Sequence, residues 1–193
     1  VFKVTSGTLT LNGEGTVWGA ESNTGNSCAI WVNGANAKAI INGGIYKVGG
    51  DLNGTTDKRN DCIYVGTEGG TIEIYDGEFQ YTGEVSDAQE GTLDDGHKFL
   101  INQKDSHAER LITIYGGVFH NFDPSNAATN DGWMTDGVGS YIADGRSVVK
   151  EDNRYMVCEI MDEGMLTQAV AAGGIITLAG DIDLGQTIEI TKD

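Results

Sequence analysis

Acidic side chains are the residues in this sequence best suited to chemistry, and they gather in two polar stretches. Asp57 and Asp61 lie in or beside the first stretch, and Glu84, Asp94 and Asp95 lie in the second. Cleavage of a glycosidic bond uses two carboxyl groups about 5 to 9.5 Å apart. Acidic runs are, however, usually solvated loops, and no local signature selects a pair here. We therefore assign no catalytic residue and keep Asp94, Asp95, Asp61 and Glu84 as candidates.

Other reaction types have less support in the sequence. Asp105, Ser106 and His107 are adjacent, and neighbours in one short loop rarely serve as acid, nucleophile and base around one substrate. The sequence has no Cys-x-x-Cys spacing and no Asp-x-Asp-x-Asp-Gly loop. We expect no zinc site and no cofactor, while calcium held by carboxylates stays possible.

Two aromatic residues are candidates for ligand binding. Trp31 alternates with Ile30 and Val32, so its side chain should point outward, and Tyr64 has the same place one repeat later. Aromatic rings pack well on apolar faces, so Trp31 and Tyr64 could form a strip on which sugars stack. The alternative is an aromatic ladder covered by a neighbouring chain or loop.

An internal repeat predicts the elements that carry these residues. Ala39–Tyr46, Ile72–Phe79 and Ile112–Phe119 share the pattern apolar, any, apolar, polar or Tyr, Gly or Asp, Gly, any, aromatic. The alternation predicts a strand with one buried face, and the glycines predict a turn that a side chain would obstruct. Repetition at this period is typical of stacked coils.

A second apolar pair precedes each copy in phase, so each repeat carries three short strands. This predicts an all-β fold, a single-stranded parallel β-helix (a solenoid) in which apolar residues form buried columns. One column should contain Val4, Val32, Val65 and Ile101, and a second should contain Leu11, Ile41, Ile74 and Ile114. Neighbours within a column should lie about 4.8 Å apart.

The extra residues of the longer repeats fall at one corner of the predicted coil. They form the polar stretches Glu21–Ser27, Gly50–Asn60 and Gly83–His97. Insertions in repeat proteins tend to gather on one face, often the binding face. We expect these three stretches to cluster on one edge and to face a partner.

The repeat divides the chain into three parts. Residues 1–122 form the coils, and residues 123–158 form an irregular cap with a hairpin-like turn at Lys150–Arg154. Residues 159–193 start with a helix over Met165–Ala172, capped by Asp162, because Gly173 follows it. The strand pairs after it, including Ile182 with Leu184 and Ile188 with Ile190, predict the opening of a further β-helix segment.

Composition excludes several classes of partner. The 193 residues include 29 acidic and 12 basic side chains, for a net charge of −17, which argues against nucleic-acid binding and against anionic membrane surfaces. No run of 18 apolar residues exists, so no membrane span is expected. The odd number of cysteines, Cys28, Cys62 and Cys158, is typical of buried thiols rather than a disulfide framework.

The repeats resemble those of a known family. They are similar to the right-handed parallel β-helix of pectate-lyase-like proteins, which include phage tailspikes and fibres. Three segments resemble a closing motif of fibre and surface proteins of gut bacteria and their phages, namely Gly116-Gly117-Val118-Phe119, Phe122-Asp123-Pro124-Ser125 and Tyr141-Ile142-Ala143-Asp144-Gly145.

The resemblance implies an extracellular structural or receptor-binding segment of a phage fibre, spike or head decoration. Such a segment would be homo-oligomeric, with a trimer favoured, and would contact copies of itself, virion proteins or a cell-surface glycan. The alternatives are a polysaccharide-degrading lyase or hydrolase, and a bacterial adhesin or filament subunit. Lyases of this family use an Arg or Lys base on a strand beside calcium-binding Asp residues. We expect Arg59, Arg110, Arg146 and Arg154 in loops or caps, so lyase activity is not carried over.

Overall fold

The protein consists mainly of short strands, with one helix near the C-terminal end. The computed structural model describes residues 2–19, 27–49, 60–82, 98–104, 106–125, 139–172, 176, 178 and 181–190. The strands form two sheets whose apolar faces share one core. Backbone pairing between successive repeats therefore dominates the fold.

The smaller sheet contains four parallel strands in the order β1-β4-β6-β8. These strands are β1 (Phe2–Val4), β4 (Ser27–Val32), β6 (Asn60–Val65) and β8 (Lys98–Gln103). Each strand is the first apolar segment of one repeat, so the repeat period sets which strands pair.

The larger sheet contains eight strands from the second and third apolar segments and from the cap. They are β2 (Gly7–Leu11), β3 (Thr16–Trp18), β5 (Ala37–Val48), β7 (Thr71–Tyr81), β9 (Ile112–Ile114), β10 (Gly117–His120), β11 (Ser147–Glu151) and β12 (Arg154–Cys158). Its main order is β11-β12-β10-β7-β5-β2, with β3 paired to β5 and β9 paired to β7. At the predicted turn, β5 and β7 each continue as one strand. The pairing register between them shifts there.

One predicted column is confirmed in register. Leu11 pairs with Ile41, Ile41 with Ile74 and Ile74 with Ile114. Ile41, Ile74 and Ile114 are fully buried, and a parallel bridge from Ile114 to Ile142 extends the column into the cap. The alternation of apolar residues thus determined both the buried face and the partner residues.

The other predicted column is wrong at its last member. Val4, Val32 and Val65 are paired and buried, but Ile101 pairs with Ile63, and Gln103 lies opposite Val65. Gln103 enters the core because it satisfies the loop that follows β8. Its Nε2 donates to the carbonyl oxygens of His107 and Glu109, and its Oε1 accepts from the Leu111 N–H.

Aromatic rings fill the core beneath the third apolar segment. Tyr46 and Phe79 stack with ring centroids 5.1 Å apart, and Phe79 and Phe119 stack at 4.8 Å. The turn before Phe119 requires glycine, because Gly117 has a φ of 112° and a Cβ there would lie 2.9 Å from the Gly77 oxygen. The repeated glycine therefore allows the backbones of neighbouring repeats to approach closely.

The prediction of a right-handed parallel β-helix is wrong. The larger sheet is mixed, because β12 pairs antiparallel with β10 and β11 pairs antiparallel with β12. Among the described residues neither sheet closes on itself, and their orders end at different strands. The reason is local: the short turn at Asp152 and Asn153, where Asp152 has a φ of 53°, can join only antiparallel neighbours.

The hairpin-like turn at Lys150–Arg154 and the predicted helix are confirmed. The helix α1 (Glu163–Ala172) begins two residues earlier than predicted, and the Asp162 Oδ1 accepts from the Met165 N–H at 2.8 Å as an N-cap. It packs against β11 around Val149, Ile160 and Ala169.

The strand pairs predicted after the helix are not formed in the described part of that segment. Residues 181–190 contain no strand, and Leu178 makes one parallel bridge to Ile160. Strands need a neighbouring backbone with which to exchange hydrogen bonds, and none of the described strands pairs with residues 181–190.

Candidate functional site: an outward polar row on the larger sheet

The residue after the closing residue of each repeat motif (Val17, Tyr46, Phe79 or Phe119) points away from the core. In β3, β5, β7 and β10 these residues are Trp18, Lys47, Gln80 and His120. Trp18 pairs with Lys47, and Lys47 pairs with Gln80. The Gln80 and His120 side chains lie 3.4 Å apart, and His120 pairs with Arg154 of β12. We call Trp18, Lys47, Gln80, His120 and Arg154 the outward row.

The outward row crosses five adjacent strands. Adjacent strands lie about 4.8 Å apart, so the row extends over roughly 19 Å. It runs perpendicular to the strands, and its side chains are held by the backbone ladder rather than by a loop. The row is therefore a rigid strip that is long enough to contact several units of an extended polymer.

Hydrogen bonds order the centre of the row. His120 Nε2 lies 2.7 Å from Glu78 Oε1, and the Gln80 amide donates to the same carboxylate oxygen. Burial by itself raises the pKa of Glu78, but the hydrogen bonds from His120 and Gln80 outweigh it and lower the pKa below its usual value. Glu78 is therefore held as a carboxylate that accepts from two neighbours.

The ends of the row carry an aromatic ring and a guanidinium group. Trp18 is 49% exposed, and the Lys47 Nζ lies 5.7 Å from the centre of its ring. At the other end an Arg154 nitrogen lies 3.9 Å from Glu151 Oε2. Such a combination can stack on an apolar surface at one end and form hydrogen bonds along the rest.

A row of apolar residues, interrupted by Glu78, lies directly beside the outward row. Ile45 pairs with Glu78, Glu78 with Val118 and Val118 with Met156. Ile45 and Val118 are half-buried, and Met156 is exposed. The outer face thus presents hydrogen-bonding groups and apolar groups side by side, as sugar rings also do.

Trp31 and Tyr64, the sequence-predicted aromatic pair, lie next to each other on the smaller sheet. They are paired in register, their ring centroids are 6.2 Å apart, and both are half-buried. The Lys3 Nζ lies 3.9 Å from the centre of the Trp31 ring. The Trp31 Nε1 is buried, and it has no hydrogen-bond partner among the described residues. Because Lys3 and Tyr64 take up the ring surface of Trp31, this geometry favours the aromatic ladder over an open sugar platform.

Asp61 is the one predicted catalytic candidate whose surroundings are described. It is 2% exposed, its Oδ1 accepts from Asn102 Nδ2 at 2.9 Å, and the Cys28 thiol lies 4.0 Å from its Oδ2. A carboxylate in this position cannot reach a polymer in solvent. Its contacts instead indicate a structural role, in which the carboxylate accepts the hydrogen bond of the buried Asn102 amide.

The other acidic candidates lie outside the described residues. They are Asp57, Glu84, Asp94 and Asp95. The inserted stretches at 21–26, 50–59 and 83–97 also lie outside, so their predicted clustering on one edge stays a prediction.

Within the described ranges, no group of three or more His, Cys, Asp or Glu side chains is arranged to hold a metal ion. No helix of the described chain is both long and apolar enough to cross a membrane. Arg154 opens β12, within the predicted cap at 123–158, and Lys47 lies within β5.

Sequence reasoning missed the outward row although a signal for it existed. Lys47, Gln80 and His120 each follow the closing aromatic residue of a repeat, namely Tyr46, Phe79 and Phe119. Alternation within a strand turns each of them outward.

Comparisons with known proteins identify no relative. No family model, no curated protein and no solved structure matches the chain. The fold and the site together define a mixed β-sheet protein that presents an ordered polar and aromatic strip on its outer face.

Proposed function

We propose that this chain is an extracellular structural and receptor-binding segment that contacts a glycan through the outward row. The observation that carries the proposal is the alignment of Trp18, Lys47, Gln80 and His120 on successive strands, beside the apolar side chains of Ile45, Val118 and Met156. Sugar rings combine apolar faces with hydroxyl groups that donate and accept hydrogen bonds. The outer face of the larger sheet offers both kinds of partner at fixed spacing.

The setting that we propose is a virion fibre or spike, or a similar assembly outside the cell. Support comes from the resemblance of Gly116–Phe119 and Tyr141–Gly145 to segments of fibre and surface proteins. In such an assembly the chain would contact copies of itself, for which a trimer is the favoured arrangement. Light scattering coupled to size-exclusion chromatography measures this, and a monomer at micromolar concentration would contradict it.

Glycan binding is tested with the purified chain on a panel of neutral and acidic glycans, followed by calorimetry with the best ligand. Tryptophan is enriched among the few interface residues whose truncation is costly, at about 1 to 2 kcal/mol or more, so Trp18→Ala should weaken binding about tenfold. The matched control is Tyr75→Ala, which removes an aromatic residue of similar exposure, 46%, from another part of the same sheet. Glycan binding that Trp18→Ala leaves unchanged, or no binding at all, would overturn the proposal.

The same samples separate binding from degradation. Incubation of the chain with the bound glycan, followed by chromatography of the products, should show intact polymer. Shorter products with a newly formed reducing end or an unsaturated end would favour the hydrolase or lyase alternative.

A further inference from the structure

We infer that the outward row selects neutral glycans over carboxylate-bearing ones, and that Glu78 and Glu151 determine this specificity. The inference rests on the proposed function and names the class of glycan that the same site takes. It starts from a contrast: the row contains Lys47, His120 and Arg154, which by themselves would suit an anionic ligand.

His120 and Arg154, at the far end of the row, each already face a carboxylate. His120 Nε2 lies 2.7 Å from Glu78 Oε1, and Arg154 Nη1 lies 3.9 Å from Glu151 Oε2. Glu78 lies two residues before Gln80 on β7, and it pairs with Ile45 on one neighbouring strand and with Val118 on the other. A carboxylate of a uronic acid laid along the row would meet these two acidic side chains.

Lys47 does not reverse this balance. Its ammonium group lies over the Trp18 ring at the opposite end of the row, beyond Gln80. The formal charges of Lys47, Arg154, Glu78 and Glu151 cancel, while the whole chain carries −17. An anionic polymer would therefore be repelled by the chain as a whole and would find no net positive charge at the row to offset that repulsion.

The hydrogen-bonding groups of the row suit hydroxyl ligands. Gln80 both donates and accepts, the Lys47 ammonium donates, and the Glu78 carboxylate accepts. A sugar hydroxyl can pair with any of them, whereas a carboxylate can only accept. Discrimination against a wrong ligand by placing like charge beside its distinguishing group is a common means of specificity.

The test compares the neutral glycan that binds best with its derivative in which the primary hydroxyl groups are oxidised to carboxylates. The unmodified chain should bind the neutral form at least about fivefold more tightly at low salt, the scale of one like-charge contact at a solvated surface. Glu151→Gln should lower the ratio of the affinity for the neutral form to that for the carboxylated form, because it removes the carboxylate beside Arg154. Glu14→Gln, which changes the net charge equally at an exposed position that is not part of the row, should leave the ratio of the two affinities as it was.

The outcomes separate this inference from the proposed function. Equal or tighter binding of the carboxylated form, or an equal effect of Glu151→Gln and Glu14→Gln, overturns the specificity while glycan binding stands. Failure of both forms to bind overturns the proposed function itself. A panel in which the best ligand is an acidic glycan contradicts the inference directly.

Discussion

Glu78 is the residue whose ionisation the outward row controls most directly. Its folded-state pKa is depressed, so it contributes stability above the ordinary pKa of glutamate, about 4.3. This contribution is lost as the pH falls through the lower folded-state value. It reflects the hydrogen bonds from His120 and Gln80, and the half-exposed position of Glu78 keeps it modest.

We therefore expect Glu78→Gln to lower the melting temperature at pH 7. The difference in melting temperature between the two proteins should shrink as the pH is lowered below about 4.3. Thermal unfolding of both proteins across that range measures the difference. Glu14→Gln serves as the control, since Glu14 is exposed. A difference that grows as the pH falls would show that Glu78 is not stabilised as a carboxylate.

Gln103 is the residue that holds the loop between β8 and β9. Gln103→Ala would leave the Leu111 N–H and the carbonyl oxygens of His107 and Glu109 without their partner. A buried unsatisfied group costs about 1 to 3 kcal/mol, and these three hydrogen bonds are only part-buried, so we expect the free energy of unfolding to fall by about 2 to 3 kcal/mol in total. Urea unfolding measures the change.

The matched substitution for Gln103 is Gln168→Ala on the exposed side of α1. Exposed substitutions of this kind usually change stability by less than about 0.5 kcal/mol. If Gln103→Ala were equally mild, water would be replacing the Gln103 hydrogen bonds, and the explanation for the shifted column would fail.

At the scale of the elements, the strands depend on the column from Leu11 to Ile142. Ile74 is fully buried between Ile41 and Ile114, so Ile74→Asp would place an unpaired charge in a dry interior. We expect a loss of more than about 4 kcal/mol, which for many domains means loss of the folded state. Far-ultraviolet circular dichroism and urea unfolding measure it.

The control for Ile74→Asp is Thr10→Asp on β2, whose side chain is exposed on the outer face. A folded, cooperative Ile74→Asp protein with a stability near that of Thr10→Asp would contradict the assignment of this column to the core.

The antiparallel hairpin of β11 and β12 shows how elements alter the predicted architecture. Repetition of an apolar pattern predicts parallel pairing of successive repeats, and β2, β5, β7 and β9 follow it. The hairpin has no counterpart in the repeat, and its short turn forces the chain to reverse. It adds to the open side of β10, so the larger sheet becomes mixed.

At the scale of the whole molecule, the buried thiols report on opening of the shared core. All three cysteines are free, and Cys28 and Cys62 are buried. Burial is the main reason why the pKa values of both thiols are raised, and the Asp61 carboxylate adds to the effect at each of them. A protonated, inaccessible thiol reacts poorly with alkylating reagents.

We expect Cys28 and Cys62 to be alkylated only when the core unfolds, with rates that rise together in urea. Cys158, which is half-buried, should react earlier, because it packs against a separate small cluster of Val149, Ile160 and Ala169 that can open by itself. Mass spectrometry of peptides after timed labelling distinguishes the three. Rapid labelling of Cys62 in native buffer would show that the sheets do not form one cooperative core.

The sequence alone determined the local features of this protein. Alternating apolar residues identified the buried faces, and the repeat period identified which strands pair, as the register of Leu11, Ile41, Ile74 and Ile114 shows. The capping residue of α1 and the hairpin turn were also readable, because both depend on side chains within a few residues of the backbone that they organise.

The tertiary structure alone decided which side chains meet. Gln103 displaced Ile101 from its expected column because a loop eight residues away needed hydrogen bonds. Asp61 became a buried acceptor because Asn102 of the next strand reaches it, and the outward row arose because β3, β5, β7, β10 and β12 stack side by side. Spacing along the chain records periodicity, whereas hydrogen bonds and ion pairs between repeats depend on distances that only the folded sheets establish.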